Sequence, residues 1–579
     1  MIGSRLRVSD KRDIMDFFRI DWRKITGASG TKYLVFVALS FCLFYVPFLT
    51  KAFHIDDAAF INMSKTIGWN PLHARPTDLF LMGGLLKGFL PYEDTHPMLI
   101  PYFIKMICAF FDEGEVVLHI SFLIFPLMSL VALKKLNDTL FSDSGAAGRI
   151  LPLLLLPVPA FLVNSHNIMT DVPTLAFLLV SLAAYARGFE KRSAALIYGG
   201  GFFMGLAVFT SYQILALMPV VLIYSVLERR STMHVVSSLI FVVCMMLLWL
   251  GLVYRAYGIF PFFSENVSSG FSLAQMVKSG MMKTNLSSKG INIFANLGMS
   301  LFFVVMLYGF MRRVLSKILF GSAALTTLIY PVVSGVEGYS FLESLSLAVL
   351  VSFGILSLVL LVEAGIIKGE RSFLSRNIFL VAWAVIVVGY NLFLPFGAAR
   401  YLLPALPPIM LVLLNDIKWE SVAGRSSAVI GCIIIASFVF GLSSAYSDFR
   451  YANAYRDFSG EVKQFRLERK NTFDVWYIGE WGMKYYMDRD GARYLLRTSN
   501  EPRKGDFIVI PEMPRYWHPS INLLQRLQFY AVREYSSPLP LRMFNRRSNA
   551  GFYEHQWGML PFAFSREPDE LFQIWEVVR

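Results

Sequence analysis

Long apolar runs separated by short polar connections occupy most of the first 445 residues. Each run approaches the ~20 residues that a helix needs to cross the hydrocarbon core of a bilayer. The pattern predicts membrane-spanning helices at residues 32–50, 116–133, 150–163, 172–186, 194–209, 213–227, 234–254, 291–311, 314–333, 342–362, 377–394, 401–414 and 428–442. A further run, residues 97–111, is shorter and contains Pro101 and Lys105, so we expect it to lie in the membrane interface.

The distribution of Lys and Arg orients these helices. If residues 97–111 do not cross, every basic cluster between later spans falls on the side of the N-terminus, and the alternate short connections are almost bare of Lys and Arg. Cytoplasmic loops carry the excess of basic residues in membrane proteins. We therefore predict about thirteen crossings, with the N-terminus in the cytoplasm and the C-terminus outside.

Three parts follow from this topology. Residues 1–31 are basic and predict an amphipathic cytoplasmic helix at residues 10–24. Residues 32–445 form the transmembrane part, whose first outer loop, residues 51–115, is predicted to hold two interface helices at 57–67 and 97–111. Residues 446–579 are predicted to form a small α/β domain outside the membrane, with strands at 473–478, 492–496 and 506–510 and a helix at 481–488.

Composition narrows the function classes. Hydrophobic residues make up 55% of the 579 residues and charged residues only 16%, which is typical of a membrane protein. The net charge of +13 is accounted for by the basic connections, without a nucleic-acid partner. The four cysteines lie in apolar runs and indicate neither a disulfide framework nor a zinc site. The chain lacks a P-loop, a G-x-S-x-G, an H-E-x-x-H and a dinucleotide fingerprint, which argues against an ATP-driven pump, a serine hydrolase or a zincin.

Acidic residues at the outer ends of two spans are the first candidates for chemistry. Asp56 and Asp57 follow the first apolar run, and Asp171 stands at the outer start of the span at 172–186. Carboxylates at the mouth of a helix bundle are costly unless they are solvated or paired, so they indicate function. The alternative is that they cap the helices that follow them, with Pro173 in the first turn after Asp171.

Two further segments offer polar groups on the same predicted face. The segment 92–97 contains Glu93, Asp94 and His96, which could supply metal ligands, although their spacing is not specific for a metal. Arg400 is the only basic residue of its outer loop, and a guanidinium there can hold a phosphate group. The alternative for this segment is that Arg400 snorkels to the interface and that Tyr401 lies in the aromatic belt.

The order of these motifs resembles that of a known enzyme family. A span, the pair Asp56-Asp57, a loop ending in His96-Pro97, an outer Thr-Asp-Val-Pro and Arg-Tyr-Leu-Leu-Pro-Ala-Leu-Pro-Pro follow one another, and an outer domain comes last. This order is similar to that of the GT-C integral-membrane glycosyltransferases of the protein O-mannosyltransferase-like family, which includes the lipid A aminoarabinose transferase. The resemblance covers residues 10–442 and is strongest over 54–187.

The resemblance implies a GT-C fold and transfer of a sugar from a polyprenyl-phosphate donor with inversion. Asp56 matches the family's leading Asp, Asp57 stands where a Glu is common, Asp171 matches the second acidic position, and His96 stands where some members have a Lys before Pro. The implied site comprises the catalytic acids Asp56, Asp57 and Asp171, the donor-phosphate contacts His96, Arg400 and Tyr401, and Glu93 and His166 on the acceptor side or in support. No cofactor is required, and a divalent metal stays open.

The expected setting is the periplasmic face of a bacterial inner membrane. The acceptor would be a lipid, a glycan or a protein, with membrane lipids as further partners. The alternative function is a transporter or flippase of lipid-linked sugars, which would predict inverted repeats, broken helices and ionisable groups at mid-membrane. The candidate acids instead gather at one face, which favours the transferase.

Overall fold

The computed structural model describes residues 30–70, 72–93, 96–141, 145–259, 286–368, 374–394, 396–419, 425–470, 472–498, 501–513 and 515–579. The predicted amphipathic helix at residues 10–24 lies outside these ranges. Most of the connection between the predicted spans at 234–254 and 291–311 lies outside them as well.

Helices account for most of the described residues up to residue 468. In chain order they are α1 (Gly30–Tyr45), α2 (Asp57–Thr66), α3 (Leu99–Phe110), α4 (Glu115–Phe122), α5 (Ile124–Leu140), α6 (Gly145–Leu155), α7 (Pro159–Asn164), α8 (Asp171–Lys191), α9 (Ala194–Val208), α10 (Met218–Leu227), α11 (Thr232–Tyr257), α12 (Leu286–Met311), α13 (Leu315–Ser334), α14 (Phe341–Val362), α15 (Leu374–Asn391), α16 (Leu406–Asn415) and α17 (Arg425–Glu468).

Eight helical stretches in the described ranges are long and apolar enough to cross a membrane, and several shorter apolar helices lie beside them. The chain is therefore a multi-pass membrane protein. The total of thirteen crossings stays a prediction. Many apolar side chains of the peripheral helices are exposed, for example Phe320 and Leu328 on α13, as expected for surfaces that face lipid rather than water.

Prolines divide two of the predicted spans. The prediction of one continuous helix over residues 150–163 is wrong, because α6 ends at Leu155 and α7 begins at Pro159, with Val158 in an extended conformation between them. A residue before proline is driven out of the helical region by the proline ring. The span at 401–414 likewise begins as a 3₁₀ helix, Ala399–Ala405, before it continues as α16.

The first outer loop contains more structure than the sequence indicated. Helices α2 and α3 stand where interface helices were predicted and pack on each other, with Lys105 Nζ donating to the carbonyl of Ser64 at 3.3 Å. An antiparallel hairpin that was not predicted, β1 (Thr77–Leu81) and β2 (Gly84–Phe89), lies between them. Its turn is formed by Met82 and Gly83, both with positive φ.

Helix α17 joins the membrane part to the C-terminal region. It has 44 residues and is therefore ~66 Å long, about twice the thickness of a hydrocarbon core. The predicted domain boundary at residue 446 falls inside this helix, so no linker separates the two parts there. Polar residues in the second half of α17 contact the C-terminal region. For example, the hydroxyl of Tyr455 donates a hydrogen bond to Oε2 of Glu570 at 2.9 Å.

Beyond this helix, residues 472–579 build a mixed β-sheet. The elements are β3 (Val475–Tyr477), α18 (Trp481–Arg489), β4 (Arg493–Tyr494), β5 (Phe507–Pro511), α19 (Ile521–Leu524), β6 (Leu527–Tyr535), β7 (Phe544–Asn545), β8 (Ala550–Gly551) and β9 (Glu570–Val577). The five-stranded sheet has the order β4-β3-β5-β9-β6, with β3 parallel to both of its neighbours. Strands β3, β4 and β5 and helix α18 lie where they were predicted, whereas β6 and β9 were not predicted.

The C-terminal region rests on the first outer loop. Tyr486 of α18 accepts a hydrogen bond from the backbone amide of Phe53 at 2.8 Å and donates to Glu115 Oε1 at 2.5 Å. Gly482 is required at this contact, because a Cβ there would lie 2.4 Å from the carbonyl oxygen of Phe53. The segment that leads to Asp56 is thereby held by the C-terminal region as well as by the helix bundle.

Candidate active site

A strained turn presents the first acidic pair. Ile55 has a φ of 49°, in the left-handed region that β-branched residues rarely occupy. Such a conformation costs about 1–3 kcal/mol and persists only where its surroundings fix it. The amide of Asp57 donates to the carbonyl of His54 at 3.1 Å and closes the turn. Asp56 therefore stands at the start of α2, between the fixed turn that precedes it and the helix that follows it.

Asp57 faces the interior. Its side chain is 0% exposed, and its two oxygens accept hydrogen bonds from the backbone amides of His54 at 3.0 Å and Ile168 at 2.7 Å. The carboxylate thus ties the first outer loop to the segment between α7 and α8. These contacts favour a positioning role for Asp57, and its predicted role as a catalytic acid stays a prediction.

Asp56 points to Arg400 instead. Its Oδ2 lies 2.9 Å from Nη2 of Arg400, and the side chains are 29% and 5% exposed respectively. Asp56 occupies the N-terminal cap position of α2, but its side chain makes no capping hydrogen bond, so capping does not account for it. Snorkelling does not account for Arg400 either, because its guanidinium is buried against an acid.

The guanidinium of Arg400 retains an unused donor. Its Nη1 contacts the sulfur of Met169 at 3.6 Å, and its Nε lies 4.0 Å from Oδ2 of Asp171, too far for a hydrogen bond. In the part of the chain that the structure describes, this buried Nε has no hydrogen-bond partner. Leaving a buried donor unpaired is costly, especially on a charged group, so the geometry fits a site that receives an oxygen ligand.

A small cavity opens beside this donor. Its lining includes Asp171, Gln213, Tyr390, Arg400 and Tyr401. The ring of Tyr401 lies 5.2 Å from the guanidinium carbon of Arg400, which places an aromatic face against the cation. The cavity, of about 20 Å³, therefore combines the guanidinium of Arg400 with hydroxyl and amide groups and with the carboxyl group of Asp171, and it has room for a single oxygen atom of an anionic ligand.

His96 belongs to the same cluster. Its imidazole acts electrostatically on Asp171, and its ring packs on Phe60 of α2 with the ring centres 5.2 Å apart. Glu93 ends a short 3₁₀ helix, Pro91–Glu93, and its side chain lies outside the described part of the chain, as does Asp94. Within the described ranges, no group of three or more His, Cys, Asp or Glu side chains is arranged to hold a metal.

His166 is buried in the bundle, away from this cavity. Its Nε2 donates to the carbonyl of Phe44 at 3.0 Å, and its ring lies between those of Tyr45 and Phe48. Its carbonyl accepts a hydrogen bond from His119 at 3.0 Å. These contacts join α1 to the loop before α8, and the predicted role of His166 on the acceptor side or in support stays a prediction.

Sequence reasoning missed a buried polar network beneath Asp56. Lys51 forms an ion pair with Asp448 and donates to Asn167. Asp448 also accepts hydrogen bonds from His54 at 3.2 Å and Tyr553 at 2.9 Å. The signal was available, because a lysine directly after a span and an aspartate within the long apolar helix α17 are both costly without partners.

A fourth acid of the site was also missed, because it comes from the C-terminal region. Glu554 is 7% exposed, and its Oε2 accepts hydrogen bonds from Tyr516 at 3.1 Å and Trp557 at 3.0 Å. Burial raises the pKa of Glu554, and the nearby charge of Asp56 adds to this increase, whereas Arg400 opposes it. Glu554 therefore lies close enough to Asp56 and Arg400 to interact with both of them electrostatically.

Comparison with known proteins gives one family match. Residues 95–253, just over a quarter of the chain, match the family model described as dolichyl-phosphate-mannose-protein mannosyltransferase. This range contains His96 and Asp171 but neither Asp56 nor Arg400. No curated protein matches the chain.

Solved structures that are similar to the chain include proteins from two organisms. ArnT from Cupriavidus metallidurans bound to undecaprenyl phosphate has 13% identity and a TM-score of 0.43, covering 88% of this chain and 97% of its own. The apo oligosaccharyltransferase of Archaeoglobus fulgidus has 14% identity and a TM-score of 0.46, covering 80% and 64%. The oligosaccharyltransferase AglB of the same organism, in complex with an inhibitory peptide and a dolichol-phosphate, has 14% identity and a TM-score of 0.45, again covering 80% and 64%.

The family match and the motifs agree on one part of the chain. Both include the loop ending in His96-Pro97 and the outer Thr-Asp-Val-Pro that contains Asp171. Over residues 95–253 the chain is therefore similar to the dolichyl-phosphate-mannose-protein mannosyltransferases, which confirms the resemblance that its motifs indicated.

Proposed function

We propose that this protein is a glycosyltransferase that moves a sugar from a polyprenyl-phosphate donor to an acceptor hydroxyl or amine. The observation that carries this proposal is the buried Arg400, which is paired with Asp56 through Nη2, has an Nε without a hydrogen-bond partner among the described residues, and lines a small cavity. A phosphate oxygen supplies the negative charge and the acceptor atom that this donor lacks. The family match supports a lipid-phosphate-linked sugar as the donor.

The reaction needs two kinds of group, and the cluster contains both. The acceptor atom attacks the anomeric carbon, the bond from that carbon to the phosphate oxygen breaks, and the electron pair leaves on the polyprenyl phosphate. Arg400, together with His96 and Tyr401, stabilises the negative charge that develops on the leaving phosphate. Asp56, the most exposed member of the Asp56–Asp171–Arg400 group, orients the acceptor or takes its proton. A direct displacement of this kind inverts the anomeric centre.

Charge distribution supports an outer location for the chemistry. The Lys and Arg clusters of the short connections favour a cytoplasmic N-terminus, which puts Asp56, Asp171, Arg400 and the C-terminal region on the opposite face. We therefore infer that transfer takes place at the periplasmic face of a bacterial inner membrane. The acceptor is a lipid, a glycan or a protein that reaches this face.

Substitution of Asp56 by Asn tests the proposal. The change keeps the size of the side chain but removes its charge and its ability to take a proton. Purified protein in liposomes would be given a set of undecaprenyl-phosphate hexoses and pentoses with radiolabelled sugars, and a cell-envelope extract as the acceptor. Transfer by the wild type and a fall of about 10²–10⁴-fold in D56N are expected.

Asp112→Asn is the matched control, because Asp112 lies in the same outer loop and is exposed. It should transfer at the wild-type rate. Equal rates for D56N and the wild type, with equal amounts of folded protein, would remove the proposed role of Asp56. Absence of transfer from every donor by the wild type would contradict the proposed function itself.

A further inference from the structure

The C-terminal region is bonded directly to the loop that carries Arg400. The amide of Gly397 donates to Nδ1 of His555 at 3.1 Å, the amide of His555 donates to the carbonyl of Gly397 at 3.0 Å, and the amide of Ala399 donates to the carbonyl of Phe552 at 2.9 Å. These hydrogen bonds join residues 552–555 to the three residues that precede Arg400. The position of the guanidinium thus depends on the C-terminal region.

Glu554 lies within this bonded segment, directly before His555. One oxygen, Oε2, is fixed by the hydroxyl of Tyr516 and the indole of Trp557. In the described ranges of the chain, the other oxygen, Oε1, accepts no hydrogen bond. The carboxyl group interacts electrostatically with Asp56 and with Arg400. It is therefore held through one oxygen, within electrostatic range of the pair assigned above to the reaction.

The two carboxylates differ in how suitable they are as bases. Oδ2 of Asp56 is held by Nη2 of Arg400 at 2.9 Å, so this oxygen is already engaged by a cation. Among the residues that the structure describes, no cation is in direct contact with Glu554, and its hydrogen bonds come from the neutral groups of Tyr516 and Trp557. A base is most effective when its affinity for a proton is close to that required at the working pH. Asp56 is therefore better suited to orienting the acceptor, and Glu554 to taking its proton.

We propose that Glu554 of the C-terminal region is the general base that takes the proton from the acceptor hydroxyl or amine during sugar transfer. This inference rests on the proposed function. As the acceptor atom bonds to the anomeric carbon and the bond to the phosphate oxygen breaks, the proton of the acceptor passes to Oε1 of Glu554. The electron pair of the broken bond leaves on the polyprenyl phosphate, so charge and atoms balance.

The role predicts a specific pH dependence. Burial raises the pKa of Glu554 above its ordinary range, and the groups that face it are Tyr516 on its own region, Asp56 on the first outer loop and Arg400 on the loop before α16. Since the base must be deprotonated, kcat should fall as the pH falls through this raised pKa. The acidic limb of the kcat profile should therefore lie above the ~4.3 of an ordinary glutamate.

Glu554→Gln is the test, with two matched variants that separate chemistry from structure. Gln retains an oxygen for Tyr516 and Trp557 but cannot take a proton. Y516F and W557F remove one hydrogen bond each and keep the carboxylate. In the liposome assay, kcat should fall about 10²–10⁴-fold in E554Q, less than tenfold in Y516F and W557F, and should recover in part in E554D with a shifted acidic limb.

Binding of undecaprenyl phosphate, measured by native mass spectrometry, separates this inference from the proposed function. E554Q should bind the lipid as the wild type does, and its residual kcat should have no acidic limb. An E554Q rate within threefold of the wild type, or equal losses in E554Q, Y516F and W557F, would overturn the role of Glu554 while leaving the transferase proposal intact. A wild type that transfers no sugar would overturn the transferase proposal, and this inference with it.

Discussion

Replacement of Arg400 by Lys tests how the leaving phosphate is held. In the structure one guanidinium contacts Asp56 through Nη2 at 2.9 Å and Met169 through Nη1 at 3.6 Å, and its Nε, beside the cavity that Arg400 lines, has no partner among the described residues. A lysine has a single nitrogen and cannot occupy these positions together. Its ammonium group is expected to stay with Asp56, since that pair keeps two charges neutralised, and the cavity then loses the donor that faces it.

The expected fall in kcat follows from the loss of one charge-assisted hydrogen-bond donor to the negative charge that develops on the leaving phosphate. Such a loss costs about 2.7–4 kcal/mol of transition-state stabilisation, which corresponds to a fall of about 10²–10³-fold in kcat. Arg400→Met should be worse, because it also leaves Asp56 without its cation. The cost in stability should stay below the about 3–5 kcal/mol of a fully buried pair, because Asp56 is 29% exposed and water can reach it.

The assay is the release of undecaprenyl phosphate in a single turnover, with equal amounts of folded protein. Arg533→Lys, a change at an exposed position of β6, is the matched control and should have no effect. The reasoning is refuted if R400K retains kcat within threefold of the wild type, because a simple positive charge would then suffice and the orientation of Nε would be irrelevant.

Three other outcomes are expected. Asp57→Asn should lower the stability by about 1–3 kcal/mol, measured as a lower melting temperature, because the backbone amide of His54 or of Ile168 loses its acceptor. A 100-fold loss of kcat at an unchanged melting temperature would instead make Asp57 catalytic. EDTA should leave kcat unchanged, because Arg400 supplies the positive charge at the phosphate, and a loss restored by Mg²⁺ or Mn²⁺ would contradict this. Burial raises the pKa of Glu480 to about 7, above its value in the unfolded chain. The stability that Glu480 contributes at low pH should therefore be lost as the pH rises through 7. Melting temperatures of the wild type and of E480Q, measured from pH 5 to 8, should differ in slope.

The main features of the membrane part could be predicted because they depend on residues that are close together in the sequence. Apolar runs of span length, prolines and basic clusters are visible in short windows of sequence, and they place Asp56, Asp171 and Arg400 on one face. The structure then brings Asp56 to within hydrogen-bonding distance of Arg400. A short window of sequence does not contain the pairing of Asp56 with Arg400, because that pairing depends on how distant segments of the chain pack.

The missed residues share this property. Lys51 and Asp448 stand far apart in the sequence, and each looks like an isolated charge at the edge of an apolar run until they meet in the fold. Glu554 lies in a segment with no helical or strand periodicity, and only its hydrogen bonds to Tyr516 and Trp557 and its place beside Arg400 mark it. The hairpin of β1 and β2 was the more avoidable omission, since Gly83-Gly84 between two apolar segments is a turn signal.

The location of the lipid phosphate tests the central claim most directly. A structure of the protein solved with bound undecaprenyl phosphate should show a phosphate oxygen within hydrogen-bonding distance of Nε of Arg400, in the cavity that Asp171 and Tyr401 also line. A phosphate bound elsewhere, with Nε of Arg400 still unpartnered, would contradict the assignment of this cluster as the centre of sugar transfer.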